Sequence, residues 1–348
     1  LALGRALRKV LVIDSGSPCN RQTPHSHNFI TQDGEQPQRI AAKAKAQVLK
    51  YDTVSFLNDL ASSGRRTDRG FAITSGSDEI YTAKKLIFAT GLKDRMPAMD
   101  GFSACWGISL IHCPYCHGYE VRHKKTGILA NGDIAFHYAQ LLRNWTADLA
   151  LFTNGKSSLT QAQREKIEQH QIPIIEKEIS HLQHENGQLE QVVFQDQSAF
   201  SLEAMYARPD ADQHCKIPEQ LGCELTEKGL IKVNTSQKTS VDHIFACGDS
   251  ASPLRAVAHA VATGNIAGAV SNGELTRGKG YFYRRLCNPL LAQIPIHETK
   301  PIPFADPLPP PDGLHLRAAD QGRHHRSGGR AFSIGIRLYP QSHHPSNI

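Results

Sequence analysis

Four short apolar runs, each followed closely by a glycine or an acid, constrain this chain more than any other feature. They are Val10-Leu11-Val12-Ile13 before Asp14, Leu86-Ile87-Phe88-Ala89 before Thr90-Gly91, Thr126-Gly127-Ile128-Leu129 before Ala130-Asn131-Gly132, and Ile244-Phe245-Ala246-Cys247 before Gly248-Asp249. Runs this short, with no polar alternation, read as strands buried on both faces, the pattern of a parallel sheet covered by helices. Helical patterns follow several of them, so strand, turn and helix repeat as in nucleotide-binding α/β domains.

The first run follows residues 1–7, which read as the last turns of a helix, and it ends in Asp14. A strand closed by an acid resembles the second strand of a dinucleotide-binding βαβ unit, where the carboxylate accepts hydrogen bonds from a ribose. A solvated strand-end acid is the plainer alternative. On the βαβ reading, the first strand and its Gly-rich turn lie before residue 1, together with the backbone N–H groups that neutralise a pyrophosphate.

Residues 36–51 carry aliphatics at helical spacing, and the short runs 53–57, 70–74 and 79–83 suggest a β-meander packed on the first sheet. A second βαβ pattern starts with a strand at 126–130, a turn at 131–135, a helix at 136–145 and a strand at 148–152. Its turn holds Gly132 and Asp133 but reads Ala130-x-Gly132-x-x-Ala135 in place of G-x-G-x-x-G. The strand after it leads to Thr153-Asn154-Gly155-Lys156, without the arginines that hold a 2′-phosphate. A helix at 160–170 and strands near 172–175, 189–194 and 201–207 complete this domain. The fourth run leads to an Ala-rich helix over 254–272, whose start suits a ligand carbonyl or phosphate and whose small residues suit close packing.

With 348 residues, the chain can bury two cores. No run of about 18 apolar residues and no signal-peptide plan appears, so a cytoplasmic protein without a membrane span is expected. The net charge of +6 is concentrated after residue 272, where ten Lys and Arg face five Asp and Glu, so the body makes no case for nucleic-acid binding. More than half of the 19 prolines also lie there, and residues 276–348 are expected to be mostly disordered. Of eight cysteines, Cys19, Cys105, Cys215, Cys223, Cys247 and Cys287 are scattered singly and read as buried or incidental thiols.

Cys113 and Cys116 are spaced as a pair, in Leu110-Ile111-His112-Cys113-Pro114-Tyr115-Cys116-His117-Gly118-Tyr119-Glu120. Cys113-Pro114-Tyr115-Cys116-His117 satisfies the C-x-x-C-H string of covalent haem attachment, which also requires a haem-loading compartment and a second axial ligand. A zinc site would need four near neighbours to converge on one tetrahedral centre. A dithiol/disulfide couple needs only the pair and an electron partner, and the two βαβ patterns nominate one.

These residues carry a family resemblance. Residues 10–14 and 85–91, Arg95-Met96-Pro97 with Asp100-Gly101, Trp106-Gly107, residues 112–120 and residues 245–249 occur in the order seen in low-molecular-weight thioredoxin reductases. The chain resembles the branch of these pyridine nucleotide-disulfide oxidoreductases that reads Cys-Pro-Tyr-Cys-His-Gly-Tyr-Glu, with an N-terminal truncation. The resemblance implies an α/β protein of two Rossmann-like domains, one inserted in the other. An FAD domain, lacking its first βα unit, would span 1–109 and 229–275, and a pyridine-nucleotide domain with the redox cysteines would span 110–228.

It further implies that Cys116 lies against the flavin while Cys113 exchanges with a thiol or disulfide. Asp14 would bind the FAD ribose, Gly248 and Asp249 its ribityl and phosphate region, and Arg255 and Ala256 the ring edge, with Asn20, Thr90 and Gly91 also on FAD. Gly132 and Asp133 would meet the pyridine nucleotide, NADP or NAD. His117 becomes the candidate general acid/base, with His112 beside it, and no metal is expected. The partner would be a thioredoxin-like protein or a small-molecule disulfide or dithiol, and the assembly a homodimer. Two other readings stay open: an oxygen-dependent oxidase of a small dithiol, and an inactive remnant that lacks FAD.

Overall fold

The computed structural model describes residues 1–277. A short helix, α1 (Ala2–Arg5), leads through Leu7 into β1 (Val10–Ile13). Helix α2 (Pro37–Val48) begins with proline at its first position, where the missing N–H has no helical partner to lose. Val48 then packs on Val12 of β1 and Val54 of β2 (Val54–Leu57), and this apolar seam holds β1 and β2 parallel, from Val10 opposite Val54 to Ile13 opposite Leu57. Strands β3 (Ala61–Thr67), β4 (Gly70–Ser75) and β5 (Ile80–Ala83) form an antiparallel meander. Residues 53–57, expected in that meander, belong instead to the parallel pair. β3 takes their place; its sequence Ala-Ser-Ser-Gly-Arg-Arg-Thr is mostly exposed, so it carries no apolar alternation to read.

Next come β6 (Leu86–Phe88), β7 (Leu92–Asp94), α3 (Phe102–Cys105), β8 (Leu110–Ile111) and α4 (Pro114–His117). The second α/β pattern follows with β9 (Thr126–Leu129), α5 (Gly132–Leu142), β10 (Leu149–Phe152), α6 (Gln161–Gln169) and β11 (Ile174–Ile175). An antiparallel trio, β12 (Ile179–Glu185), β13 (Gln188–Phe194) and β14 (Ala199–Ser201), precedes β15 (Ala204–Ala207). β8, β9, β10, β11 and β15 make one parallel sheet in the order β11-β10-β9-β15-β8. β10 and β15 are buried at every residue, as two-sided coverage requires.

The chain then returns through β16 (Ala211–Gln213), antiparallel to β7, and α7 (Ile217–Gln220) to β17 (Ile244–Ala246), which lies parallel to β6. Ile217, Ile231, Ile244 and Ala246 thereby share a core with Ile13, Phe71 and Phe88 from early in the chain. The fold is α/β. The last described helix, α8 (Val257–Arg277), starts three residues later and ends five later than the expected 254–272, since Gly273 within it does not stop the hydrogen-bonded spiral. Of the tail expected over 276–348, residues 276 and 277 are the last two of α8, and the rest lies outside the described residues.

Helix α5 starts at Gly132 rather than after a five-residue turn, because the Asn131 side chain caps it by accepting from Gly132 N at 2.9 Å. Strand β12, unread in the sequence, pairs with β13. Beside it, Gly101 adopts φ +78°, and a Cβ there would run into the carbonyl oxygen of Leu182. Gly101→Ala is therefore expected to cost roughly 2–3 kcal/mol, from left-handed backbone strain plus overlap. Urea denaturation of the variant checks it, and a loss under about 0.5 kcal/mol would show the contact to be slack.

Candidate active site

Cys113 stands at the N-cap of α4 in extended conformation (φ −115°, ψ 108°), and Pro114 takes the first helical position. The single turn that follows brings the backbone N–H groups of Cys116 and His117 onto the Cys113 carbonyl, at 3.2 and 3.1 Å. It thereby sets the two Cα atoms 5.2 Å apart, and a disulfide joins Cys113 to Cys116. Both cysteines are half-buried.

His112, just before the pair, is stacked on Trp106 with ring centroids 5.8 Å apart, and Trp106 stacks in turn on Phe102. Trp106 Nε1 donates to Asp94 Oδ2 at 3.2 Å. Asp94 also accepts two bonds from Arg255, from Nη1 at 2.6 Å and Nη2 at 3.1 Å. On the far side Tyr138 donates its hydroxyl hydrogen to the His112 carbonyl at 3.0 Å. The backbone that carries the cysteines is thus held by an aromatic stack on one side and a tyrosine from α5 on the other.

Cys116 opens onto a cavity of about 550 Å³. Its walls bring together Asp14, Asn20, Gly91, His112, Cys116, His117, Gly248, Asp249, Arg255 and Ala256, residues spread over most of the described chain. Cys113 does not line it. Thr90 is buried next to Gly91, and its Oγ1 has no hydrogen-bond partner among the described residues. Asp14 Oδ1 accepts from Gly16 N at 3.0 Å, which turns the chain away from β1 at the cavity edge. Arg255 reaches the cavity, but its two terminal nitrogens are committed to Asp94, and its Nε lies 3.8 Å from Asp249.

Gly132 and Asp133 are not in that cavity; they sit at the start of α5. The Asn131 side-chain oxygen there accepts from Gly132 N, Ser158 N and Ser158 Oγ, and Asp133 Oδ1 accepts from Gln163 Nε2 at 2.7 Å. An acid in the first turn and a cap that engages the first free N–H both work against a phosphate at this helix N-terminus.

Burial pushes His112 down to about 4, with Arg255 and His117 adding to the effect and Asp94 opposing it. Burial also lowers His117, and His27 lowers it further while Glu120 raises it. Burial pushes the Cys247 thiol up to about 12, so this cysteine of the cavity wall stays protonated. Cys105, Cys215 and Cys223 are buried as the sequence suggested; Cys19 is half-buried on the cavity wall, and Cys287 lies outside the described residues.

The His112 shift has a consequence for stability. The folded value lies below the ordinary histidine value of about 6.5, so the stabilisation is complete above that pH and is lost as pH falls towards 4. His112→Phe keeps a ring against Trp106 and removes the titration. The fall in unfolding free energy on acidification is expected to be roughly 3 kcal/mol smaller in the variant than in the parent. Urea midpoints at neutral pH and near the lower end of that window measure it, and equal falls would reject the assignment. His214, burial of which also pushes it down to about 4, keeps its own share in both proteins.

Sequence reasoning passed over His27, Asp33 and Asp94. His27 lines the cavity from the loop between β1 and α2, with its ring centroid 6.2 Å from that of His117. It stood in a polar stretch without periodicity, and only the pairing of distant loops brings it to the cysteines. Among the described residues, no group of three or more His, Cys, Asp or Glu side chains is placed to hold a metal ion. Nor is any described helix long and apolar enough to cross a membrane.

A family model described as pyridine nucleotide-disulphide oxidoreductase matches residues 1–264. Thioredoxin reductase sirT of Leptosphaeria maculans is 31% identical over 290 residues, covering 78% of this chain and 88% of its own length. Thioredoxin reductase aclD of Aspergillus oryzae is 30% identical over 281 residues, covering 77% of this chain and 88% of its own. Among solved structures, an oxidoreductase from Agrobacterium tumefaciens is similar with a TM-score of 0.74 and 31% identity, covering 79% of this chain and 93% of that one.

Proposed function

The chain belongs to the pyridine nucleotide-disulphide oxidoreductase family, and from that premise we propose that it passes an electron pair between NAD(P)H, FAD, the Cys113–Cys116 disulfide and a disulfide substrate. It is a flavoprotein oxidoreductase of the thioredoxin-reductase-like kind. The observation that carries the proposed route is the placing of Cys116, with His112 and His117, on the wall of the cavity that also holds Asp14 and Gly248.

The residues present fit FAD. Thr90 Oγ1 and His112 Nε2 are buried polar atoms without a hydrogen-bond partner among the described residues. At Gly91, φ +68°, no atom of the other described residues beyond its chain neighbours lies within 4 Å of where a Cβ would stand, which leaves room for a ligand against the backbone. Asp14 would hold the ribose, Gly91, Gly248 and Asp249 the middle of the dinucleotide, and His112, Ala256 and Cys116 the ring end. When bound, FAD supplies a two-electron carrier between a pyridine nucleotide and Cys116.

The remaining steps belong to the protein. The Cys113 thiolate attacks one sulfur of the substrate disulfide, the substrate S–S bond breaks, and the departing thiolate takes a proton from His117. The Cys116 thiolate then attacks the Cys113 sulfur, which restores the Cys113–Cys116 disulfide and releases the second substrate thiolate. The tie of His112 to Trp106 and Tyr138 keeps the pair in place through this exchange. A thioredoxin-like protein or a small disulfide suits the half-buried Cys113; relatives bearing the name thioredoxin reductase support the former.

A second reading keeps FAD and the cysteine pair but runs towards oxidation of a small dithiol, with oxygen as acceptor. The capped, acidic start of α5 favours it, since it weakens the pyridine-nucleotide site. The visible spectrum of the purified full chain tests both. Flavin absorbance that bleaches rapidly under anaerobic NADPH is the expected result. Bleaching by a dithiol but not by NADPH or NADH, with recovery in air, would replace the first reading with the second. A chain without flavin absorbance after FAD is added would overturn both and leave the inactive remnant.

A further inference from the structure

We propose that His27 is a positioning residue that carries protons between solvent and His117, with Glu120 and Asp33 as its outlets. The inference rests on the proposed role of His117 as acid and base at the cysteine pair. Reduction of one disulfide by NAD(P)H to two thiols consumes one hydride and one proton from solvent, so each turnover needs a proton delivered to a half-buried site.

The geometry of the loop between β1 and α2 points to this role. Its base is closed by the Ser26 and Glu35 bridge, with Ser26 N donating to Glu35 O and Gly34 N donating to Ser26 O, both at 2.9 Å. Asp33 Oδ1 accepts from Asn28 N at 2.7 Å, which ties the acid across the loop. So braced, the His27 ring lies nearly perpendicular to that of His117, at an interplanar angle of 88°. Its Nε2 lies 3.6 Å from Glu120 Oε1, just past the end of α4, and its Nδ1 lies 3.6 Å from Asp33 Oδ1. These distances exceed a direct hydrogen bond, and suit charge coupling or one bridging water.

Exposure rises along the same path, from 18% for the His27 side chain to 40% for Glu120 and 66% for Asp33. A proton path needs this gradient, with a shielded end at the chemistry and a wet end where exchange with solvent is fast. The groups facing His117 are His27 from the loop, Glu120 from its own turn and His112 from the preceding strand end. His25, whose ring centroid is 6.4 Å from that of His27, is turned to the loop backbone, with its Nδ1 2.9 Å from Gly34 O.

His27 holds His117 down and Glu120 holds it up, so replacing these two residues should act in opposite directions. The test mixes the dithiothreitol-reduced full chain with hydroxyethyl disulfide and follows release of the first thiol across pH, a reaction independent of flavin. His27→Asn is expected to slow exchange about tenfold, a fraction of what removing a general acid costs, and to move the His117 limb of the profile to higher pH. Glu120→Gln should move that limb to lower pH. Added imidazole should restore part of the rate to His27→Ala. The same opposed shifts are expected for the His117 ring proton by NMR in the disulfide form, where neither cysteine of the pair titrates.

Limbs that stay put, or that move together, in the presence of a slowed His117→Asn would overturn the role of His27 and leave the proposed function standing. An unslowed His117→Asn would instead remove His117 from the chemistry, and the proposal with it. Glu120 is exposed enough that its variant keeps the fold, so the test survives even if His27→Asn does not.

Discussion

Cys116→Ser is expected to lower steady-state turnover by ~10⁴-fold or more while leaving Cys113 able to react once, because the two sulfurs act as a unit and neither closes the cycle alone. Cys116 faces the cavity and Cys113 does not, so the two variants should fail differently. With Cys116 replaced, the substrate sulfur stays bonded to Cys113, since no second thiolate displaces it. Intact-mass measurement should find one substrate adduct, removable by dithiothreitol. With Cys113 replaced, the remaining thiol is turned to the cavity, and little adduct should form with a protein disulfide. The reverse pattern, adduct on Cys113→Ser and none on Cys116→Ser, would exchange the roles assigned to the two sulfurs. Turnover above about a tenth of the parent in either variant would show that the pair is not the carrier.

The parts of this site legible in the sequence are those with short-range signatures. The Cys-x-x-Cys pair is closed by one helical turn, so its spacing alone implies that the sulfurs can meet. The buried strands ending near Asp14, Thr90, Ala130 and Cys247 announce themselves as unbroken apolar runs, and all are strands in the fold. What stayed hidden depends on pairing between distant segments. β3 is polar and mostly exposed, so its strand character comes from its partner β4 and not from its own pattern. Residues 53–57 read as part of the meander, and the packing of Val48 on Val54 and Val12 sets β2 beside β1 instead. Asn131 is an ordinary turn former in sequence; only the fold shows it capping α5 and holding Ser158.

Asp94 is the residue of this kind with the largest expected effect on stability. It sat unremarked beside Arg95-Met96-Pro97, yet it binds Arg255 from the opposite end of the described chain and also accepts from Trp106. The Asp94 side chain is 7% exposed and that of Arg255 17%, so this is a buried ion pair. Burial works against the guanidinium charge, but the hydrogen bonds and charge of Asp94, with Asp249 behind it, more than offset this and hold Arg255 firmly protonated.

Asp94→Ala therefore leaves a buried cation facing Asp249 at 3.8 Å, without its two charge-assisted hydrogen bonds, and a loss of about 3–5 kcal/mol is expected. Asp94→Asn should cost less, because an amide oxygen can still accept from Trp106. The double variant Asp94→Leu with Arg255→Met removes both charges, and is expected to recover most of the loss, since well-packed apolar pairs often match a buried ion pair. Urea denaturation of the single and double variants gives the coupling between the two residues. A cost below about 1 kcal/mol for Asp94→Ala would mean that water or Asp249 already satisfies Arg255. The expected large value has a further consequence for the site: Trp106 stacks on His112, so loss of Asp94 should also loosen the histidine beside Cys113. Quenching of tryptophan fluorescence can register that loosening independently of stability, because the other tryptophan, Trp145, packs against Tyr115 and not against His112.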